Sequence, residues 1–154
     1  MKKVVIGASI ISFILATGFD SEDGAAIRQG VHIEWYRTVS PGNSGEAIFV
    51  WSDTRYGMRN IFAHKINQDG ELLWGESGAI VTDLPGRQED PVSITDGNGG
   101  VFVAWVDYRF DEQGDIFFQH LDNNGDILLD SNGVALAQVE GKQITINMCK
   151  HSLG

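Results

Sequence analysis

From Pro91 onward the chain alternates short apolar runs with turn clusters, and no window of helical period stands out. Pro91-Val92-Ser93-Ile94-Thr95 is a β-branched run, and Asp96-Gly97-Asn98-Gly99-Gly100 is a turn cluster that lets the backbone take positive φ. Val101-Phe102-Val103-Ala104-Trp105-Val106 is apolar on both faces, the pattern of a strand covered on each side. After the loop Asp107 to Gly114, the stretch Asp115 to Asp122 alternates imperfectly and is aromatic-rich, which predicts a third strand. Asn123-Asn124-Gly125 closes a second turn. Ile127-Leu128-Leu129 is interrupted at Asp130-Ser131-Asn132-Gly133 and resumes as Val134-Ala135-Leu136-Ala137, which predicts a fourth, outer strand broken by a glycine bulge. Upstream, the same pattern predicts strands over Glu34 to Val39, Glu46 to Ser52, Asn60 to Ile66, and Glu71 to Thr82 with a bulge near Gly75.

The two halves of this pattern are copies of one another. Trp51, Asp53 and Arg55 recur as Trp105, Asp107 and Arg109 at a shift of 54. After one extra residue, Ile61-Phe62, Gly70, Gly78, Gly86 and Gln88 recur as Ile116-Phe117, Gly125, Gly133, Gly141 and Gln143 at a shift of 55. A period of this size holds one supersecondary unit of a solenoid or propeller. Four antiparallel strands per period, with the loop Val139 to Gln143 leading to a new inner strand at Ile144 to Asn147, match a propeller blade. A sandwich of seven or eight strands is the competing architecture, but it gives no reason for loop chemistry to recur at one spacing.

The segments FVWSDTRYGMRNIFAHKINQDGELLWGESG and FVAWVDYRFDEQGDIFFQHLDNNGDILLDSNG resemble the tandem blades of large exported bacterial β-propeller proteins. Those blades run as V-x-W-x-D-x-R, then D-I-x-x-Q-x-x-D-x-x-G-x-x-L-W, then G, then Q-x-x-P, and the resemblance covers about residues 31 to 147. It implies a repeat type and no particular activity. The second copy departs at Leu129, where Trp74 stands in the first. Met148 to Gly154 replaces the Asp-Gly-x-Gly-Gly hairpin that the repeat requires, as an early stop or a shifted frame would leave it. The expected fold is therefore all-β: two four-stranded antiparallel propeller-type blades plus the inner strand of a third, after an N-terminal signal peptide. The expected divisions are signal peptide 1–18, linker 19–30, first blade 31–88, second blade 89–142, and third-blade start with an irregular tail 143–154. A propeller closes with at least four blades, so an N-terminal piece of a larger protein, or self-assembly of short chains into a ring, is the expectation.

The signal peptide is read from Met1-Lys2-Lys3, a basic start, from the apolar run Val4 to Leu15, and from Ala16-Thr17-Gly18, a small-x-small cleavage site. The run is shorter than the about 20 residues of a membrane span, and it predicts a secreted, periplasmic or cell-surface protein with no membrane association after cleavage. With 154 residues, 42% of them hydrophobic, the chain can bury one ordinary core, and Gly 19 against Pro 3 fits short strands joined by tight turns. Removing Lys2 and Lys3 takes the formal charge from -10 to -12, and the 11 basic residues are scattered, so nucleic acid is excluded as a partner. Cys149 is the one cysteine, so no intramolecular disulfide forms.

Candidate chemistry lies in the repeated Asp53-x-Arg55 and Asp107-x-Arg109 pairs, where the second strand leaves each blade. Each Arg offers a fork to a carboxylate or sulfate, but a pair present in both copies fits a loop brace better, since catalysis needs its groups once. Tyr56 and Tyr108, in the loops themselves, are candidates for ligand contact, whereas Trp51 and Trp105 sit mid-strand and fit core packing. The ligand-binding set is thus Asp53, Arg55, Tyr56, Asp107, Tyr108 and Arg109, for a glycan or protein partner. The oxygen-rich turns Asn67 to Glu71 and Asp122 to Asp126 do not complete an EF-hand loop and fit plain hairpin turns. His32, His64, His120 and His151 have no metal-ligand spacing, and no nucleophile-elbow, Walker or Rossmann signature occurs. No catalytic residue, metal or cofactor is expected. The reading is a non-enzymatic exported propeller module for binding or surface structure. Its alternative is part of a sialidase-like glycan-acting enzyme, suggested by the Asp69 to Trp74 hairpin.

Overall fold

The computed structural model describes residues 2–6, 9–13, 25–28, 34–143 and 146–149. Strands β1 (Lys2–Ile6) and β2 (Ser9–Phe13) pair antiparallel within the segment expected as a signal peptide. Strand β3 (Ala25–Arg28), within the expected linker, joins β1 in parallel.

The repeats form two four-stranded antiparallel sheets, and the described residues contain no helix. The first sheet runs β4 (Glu34–Pro41), β5 (Ala47–Tyr56), β6 (Met58–Ile66) and β7 (Ala79–Thr82), in that spatial order. The second repeats the order with β8 (Gln88–Thr95), β9 (Val101–Asp107), β10 (Asp115–Leu121) and β11 (Val134–Ala137). Within each sheet every strand pairs antiparallel with its sequence neighbour. The register repeats as well: Trp51 lies opposite Phe62, and Trp105 opposite Phe117.

The outer strands are shorter than the apolar pattern suggests. Leu72 and Ile127 make only isolated bridges, to Ile66 and Leu121. Beyond them the chain turns through Gly78 and Gly133, at φ 73° in both copies, before β7 and β11 begin. A Cβ on Gly78 would come within 2.5 Å of the Ala63 carbonyl oxygen, and one on Gly133 within 2.7 Å of the Trp105 ring. Both glycines are therefore required by close approach as well as by backbone conformation. Of the inner strand expected at Ile144 to Asn147, Ile144 and Thr145 lie outside the described residues, and Ile146 and Asn147 belong to no strand.

The inner strands carry a device with no glycine to announce it. Tyr36 in β4 and Asp90 in β8, 54 residues apart, adopt positive φ of 44° and 50°. Each sits where the pairing register slips, between Trp35 and Arg37 and between Glu89 and Val92. A bulge of this kind bends the strand and sharpens its twist.

The two sheets bury a common core. Val101, Val103, Trp105, Phe117 and Leu121 of the second pack on Ile48, Val50, Ile61, Ala63 and Val81 of the first, with Trp74 closing one end. The opposite face of β10 is only half-buried at Ile116, Phe118 and His120, so its burial alternates along the strand. The sheets are also tied by polar contacts. Ser93 in β8 lies 2.8 Å from Ser40 and 3.3 Å from Thr38 in β4. Lys65, with its side chain 2% exposed, reaches across from β6 to donate to the Asn123 carbonyl at 2.7 Å and side-chain oxygen at 2.8 Å, and to the Gly99 carbonyl at 3.3 Å. Glu46 lies 3.4 Å from the same ammonium. Trp74 completes this clasp, donating its indole N–H to the Asn123 carbonyl at 3.0 Å and lying against Gly125.

Candidate functional site

The Trp-x-Asp-x-Arg motif sits where β5 and β9 end. Alternation along a strand places Trp and Asp on one face, two residues apart, and the structure joins them. In the first copy the Trp51 indole N–H donates to Asp53 Oδ2 at 2.9 Å, and the Arg55 backbone N–H to Oδ1 at 2.9 Å. The Arg55 guanidinium grips the same carboxylate through Nε at 3.0 Å and Nη2 at 2.6 Å, and donates through Nη1 to the Ser77 carbonyl at 3.0 Å. It also lies 3.7 Å from the centre of the Phe62 ring, a cation–π distance. Burial works to raise the Asp53 pKa. The Arg55 side-chain and backbone bonds, the Trp51 bond and the Arg55 charge together outweigh it and hold the carboxyl below its ordinary value. Asp53 is fully buried and the Arg55 side chain is 8% exposed, so this copy forms a closed brace that ties the loop to its own sheet.

The second copy repeats the core of this arrangement. Trp105 donates to Asp107 Oδ2 at 2.9 Å, the Arg109 backbone N–H to Oδ1 at 2.9 Å, and Arg109 Nη2 to Oδ2. The guanidinium lies 4.2 Å from the Phe117 ring centre and 5.6 Å from that of Phe110. Here Arg109 Nε is buried without a hydrogen-bond partner.

The two tyrosines are not equivalent: at the shift of 54, Tyr108 stands where Thr54 does, and Phe110 where Tyr56 does. Tyr56 is 61% exposed and touches Phe62 at 5.9 Å between ring centres. Tyr108 is half-buried beneath the Arg87 guanidinium, 3.9 Å above its ring. Thus the structure holds Asp53 with Arg55 and Asp107 with Arg109, and leaves Tyr56 open to solvent.

Beside Arg109 lies a cavity of about 590 Å³ that opens broadly to solvent. Leu84 and Pro85, from the segment connecting the two sheets, contribute to its lining. So do Phe110, Asn132 and Gln138 of the second sheet's loops, and Phe110 is 64% exposed. The connecting segment is held close: a Cβ on Gly86, at φ 105°, would come within 2.8 Å of the Arg109 Cα. Sequence reasoning singled out Arg109 but not Phe110, Asn132 or Gln138. The signal for Phe110 was its place as the counterpart of Tyr56 at the shift of 54; Asn132 and Gln138 carried none.

The oxygen-rich turns use their oxygens internally. Asn67 Oδ1 accepts the backbone N–H groups of Asp69 and Glu71, and Asp122 Oδ1 those of Asn124 and Asp126. Among the described residues no three His, Cys, Asp or Glu side chains gather into a metal-binding group. His120 lies 2.9 Å from Asp96 Oδ2. His64 is fully buried, and neither ring nitrogen makes a hydrogen bond of normal geometry. Burial lowers its pKa, and backbone groups of Gly75 and Lys65 offset that only in part. His32 and His151 lie outside the described residues. Compared with known families, curated proteins and solved structures, the chain matches none.

Proposed function

We propose that this chain is an exported, non-enzymatic β-propeller module whose two sheets are consecutive blades, serving to present loops for binding a glycan or protein or to build a surface assembly. The observation that carries the reading is the relation between the sheets. Two copies of one sequence repeat fold with the same strand order and register, and one face of the second is seated on the opposite face of the first. Repeating that step stacks further blades, and with at least four of them the ring closes. The Trp-x-Asp-x-Arg motif supports the non-enzymatic part. In both copies the Asp carboxylate is committed to the Trp and Arg of its own motif, and a carboxylate committed to bracing is not poised for proton transfer.

Light scattering on the purified mature protein tests the architecture. A discrete oligomer matches ring completion by association, and a well-folded monomer removes self-assembly from the proposal. A hydrolysis assay over a panel of glycosides tests the absence of catalysis, and turnover of any of them overturns it.

A further inference from the structure

The two copies of the motif are unlike at the guanidinium. Arg55 commits Nε and Nη2 to Asp53, and Nη1 to the carbonyl of Ser77. Arg109 commits only Nη2 to Asp107; its Nε is orphaned although the side chain is 9% exposed. Asn132 stands at the position of Ser77, and Arg109 makes no counterpart of the Ser77 bond there. Like Arg55 over Phe62, the guanidinium leans over Phe117, and it also borders the 590 Å³ cavity. Arg109 Nη1, the counterpart of the nitrogen that Arg55 gives to Ser77, has no partner among the described residues and is not sealed from solvent as Nε is, so an acceptor entering the cavity can meet it. The repeat thus serves as a brace in the first copy and leaves an open donor in the second, at one place in the molecule.

We propose that this cavity binds a monocarboxylate sugar of the uronic acid type, with the carboxylate on Arg109 and the ring against Phe110. A carboxylate matches the planar N–H groups of a guanidinium. One negative charge fits better than two, because Asp107 already neutralises part of Arg109 and the chain carries a formal charge of -10. The exposed ring of Phe110 offers a flat apolar face to a pyranose, and the side-chain amides of Asn132 and Gln138 offer donors and acceptors for its hydroxyls. The proposal rests on the binding role advanced above and names its ligand class, and it does not depend on ring closure.

The experiment is a titration of the full-length, ¹⁵N-labelled chain with galacturonate, and separately with galactose, followed by NMR at the Arg109 Nε and the Asn132 and Gln138 amides. Saturable shifts at Arg109 are expected with galacturonate, in about the millimolar range for a ligand of this size. Galactose should bind at least about 10-fold more weakly, since it lacks the charge-assisted bond. Arg109→Lys should weaken galacturonate by a similar factor, and Asn132→Ala and Gln138→Ala, which leave the Asp107 brace intact, should each weaken it several-fold. Equal binding of galactose, absence of saturation, or shifts that spare Arg109 overturn the proposal. If Arg109→Lys does not fold, unchanged affinity in both alanine variants overturns it instead. Such a failure leaves the propeller-module reading standing, because molecular mass and glycoside hydrolysis test that reading separately.

Discussion

Replacing His64 with glutamine transplants into the first sheet a solution that the second already uses. His64 and Gln119 are equivalent positions 55 residues apart, and both are fully buried. Gln119 Oε1 accepts from the Leu129 N–H at 3.1 Å and from the His120 N–H at 2.9 Å, and its Nε2 donates to the Asp130 carbonyl at 2.8 Å. Trp74 and Gly75 stand where Leu129 and Asp130 do, so a glutamine at position 64 finds the same backbone groups. Two net hydrogen bonds at about 1 kcal/mol each, less the partial contacts the imidazole already makes, stabilise the variant by about 1–2 kcal/mol. At about 3 °C per kcal/mol for a chain of this size, the melting temperature at pH 7.5 rises by about 3–6 °C. The pH dependence supplies an independent check. His64 is held below its ordinary value of 6.5, so below that pH the unfolded chain takes up a proton that the folded chain refuses. Wild-type stability is complete above pH 6.5 and falls as pH drops toward the folded-state pKa. Glutamine does not titrate, so the advantage of the variant widens between pH 7.5 and pH 5.5. Thermal melts by circular dichroism at both pH values measure it. A variant less stable than wild type at pH 7.5, or an advantage that does not change with pH, refutes the reasoning.

Lys65→Met removes the ammonium that three acceptors of the second sheet surround, and denaturant melts should show a loss of about 2–4 kcal/mol. Gly133→Ala forces a methyl group against the Trp105 ring at φ 73°, and should cost about 2–4 kcal/mol in the same assay from overpacking and backbone strain together. Asp90→Asn should raise the melting temperature at pH 7. Burial pushes the Asp90 carboxyl above its ordinary value against the attraction of Arg59 and Arg87, so its contribution is most favourable below pH 3.8 and is lost as pH rises through the folded-state pKa. Asparagine tolerates the same positive φ, so the gap between variant and wild type should be larger at pH 7 than at pH 4.

The strands were legible because turn glycines bracket them: Gly97 to Gly100 and Gly125 fix where β9 and β10 begin and end. The equivalence of the two sheets was legible for the same reason, and it carried Trp105 and Asp107 to the places that Trp51 and Asp53 hold. The bulge at Tyr36 and Asp90 was not, because positive φ is usually announced by glycine or asparagine, and here it falls on a tyrosine and an aspartate at the register slips. The outer strands were overextended because Leu72 to Trp74 and Ile127 to Leu129 are apolar, and apolarity alone does not separate a paired strand from a turn packed on a neighbouring sheet. Lys65 gave no sign of burial, since a charged residue in an alternating strand usually points to solvent. At the candidate site, the Asp–Arg pairing was legible from its recurrence. The difference between Arg55 and Arg109 was not, because it lies in which guanidinium nitrogens find acceptors, and the motif is the same in both copies.

The Lys65 clasp bears on how the molecule comes apart. Arrays of repeats commonly lose order one unit at a time from an exposed end, each repeat keeping a margin of stability of its own. Here Trp105, the largest buried side chain of the second sheet, lies in the core shared with the first, and the cation of the first is solvated by the backbone of the second. Pulling the second sheet away would strip Trp105 of its cover and expose the apolar face that Ile48, Val50 and Ile61 present to it, so the two sheets are expected to unfold together. The stretch of chain that duplicates is one repeat long, and the stretch that melts as a unit is two.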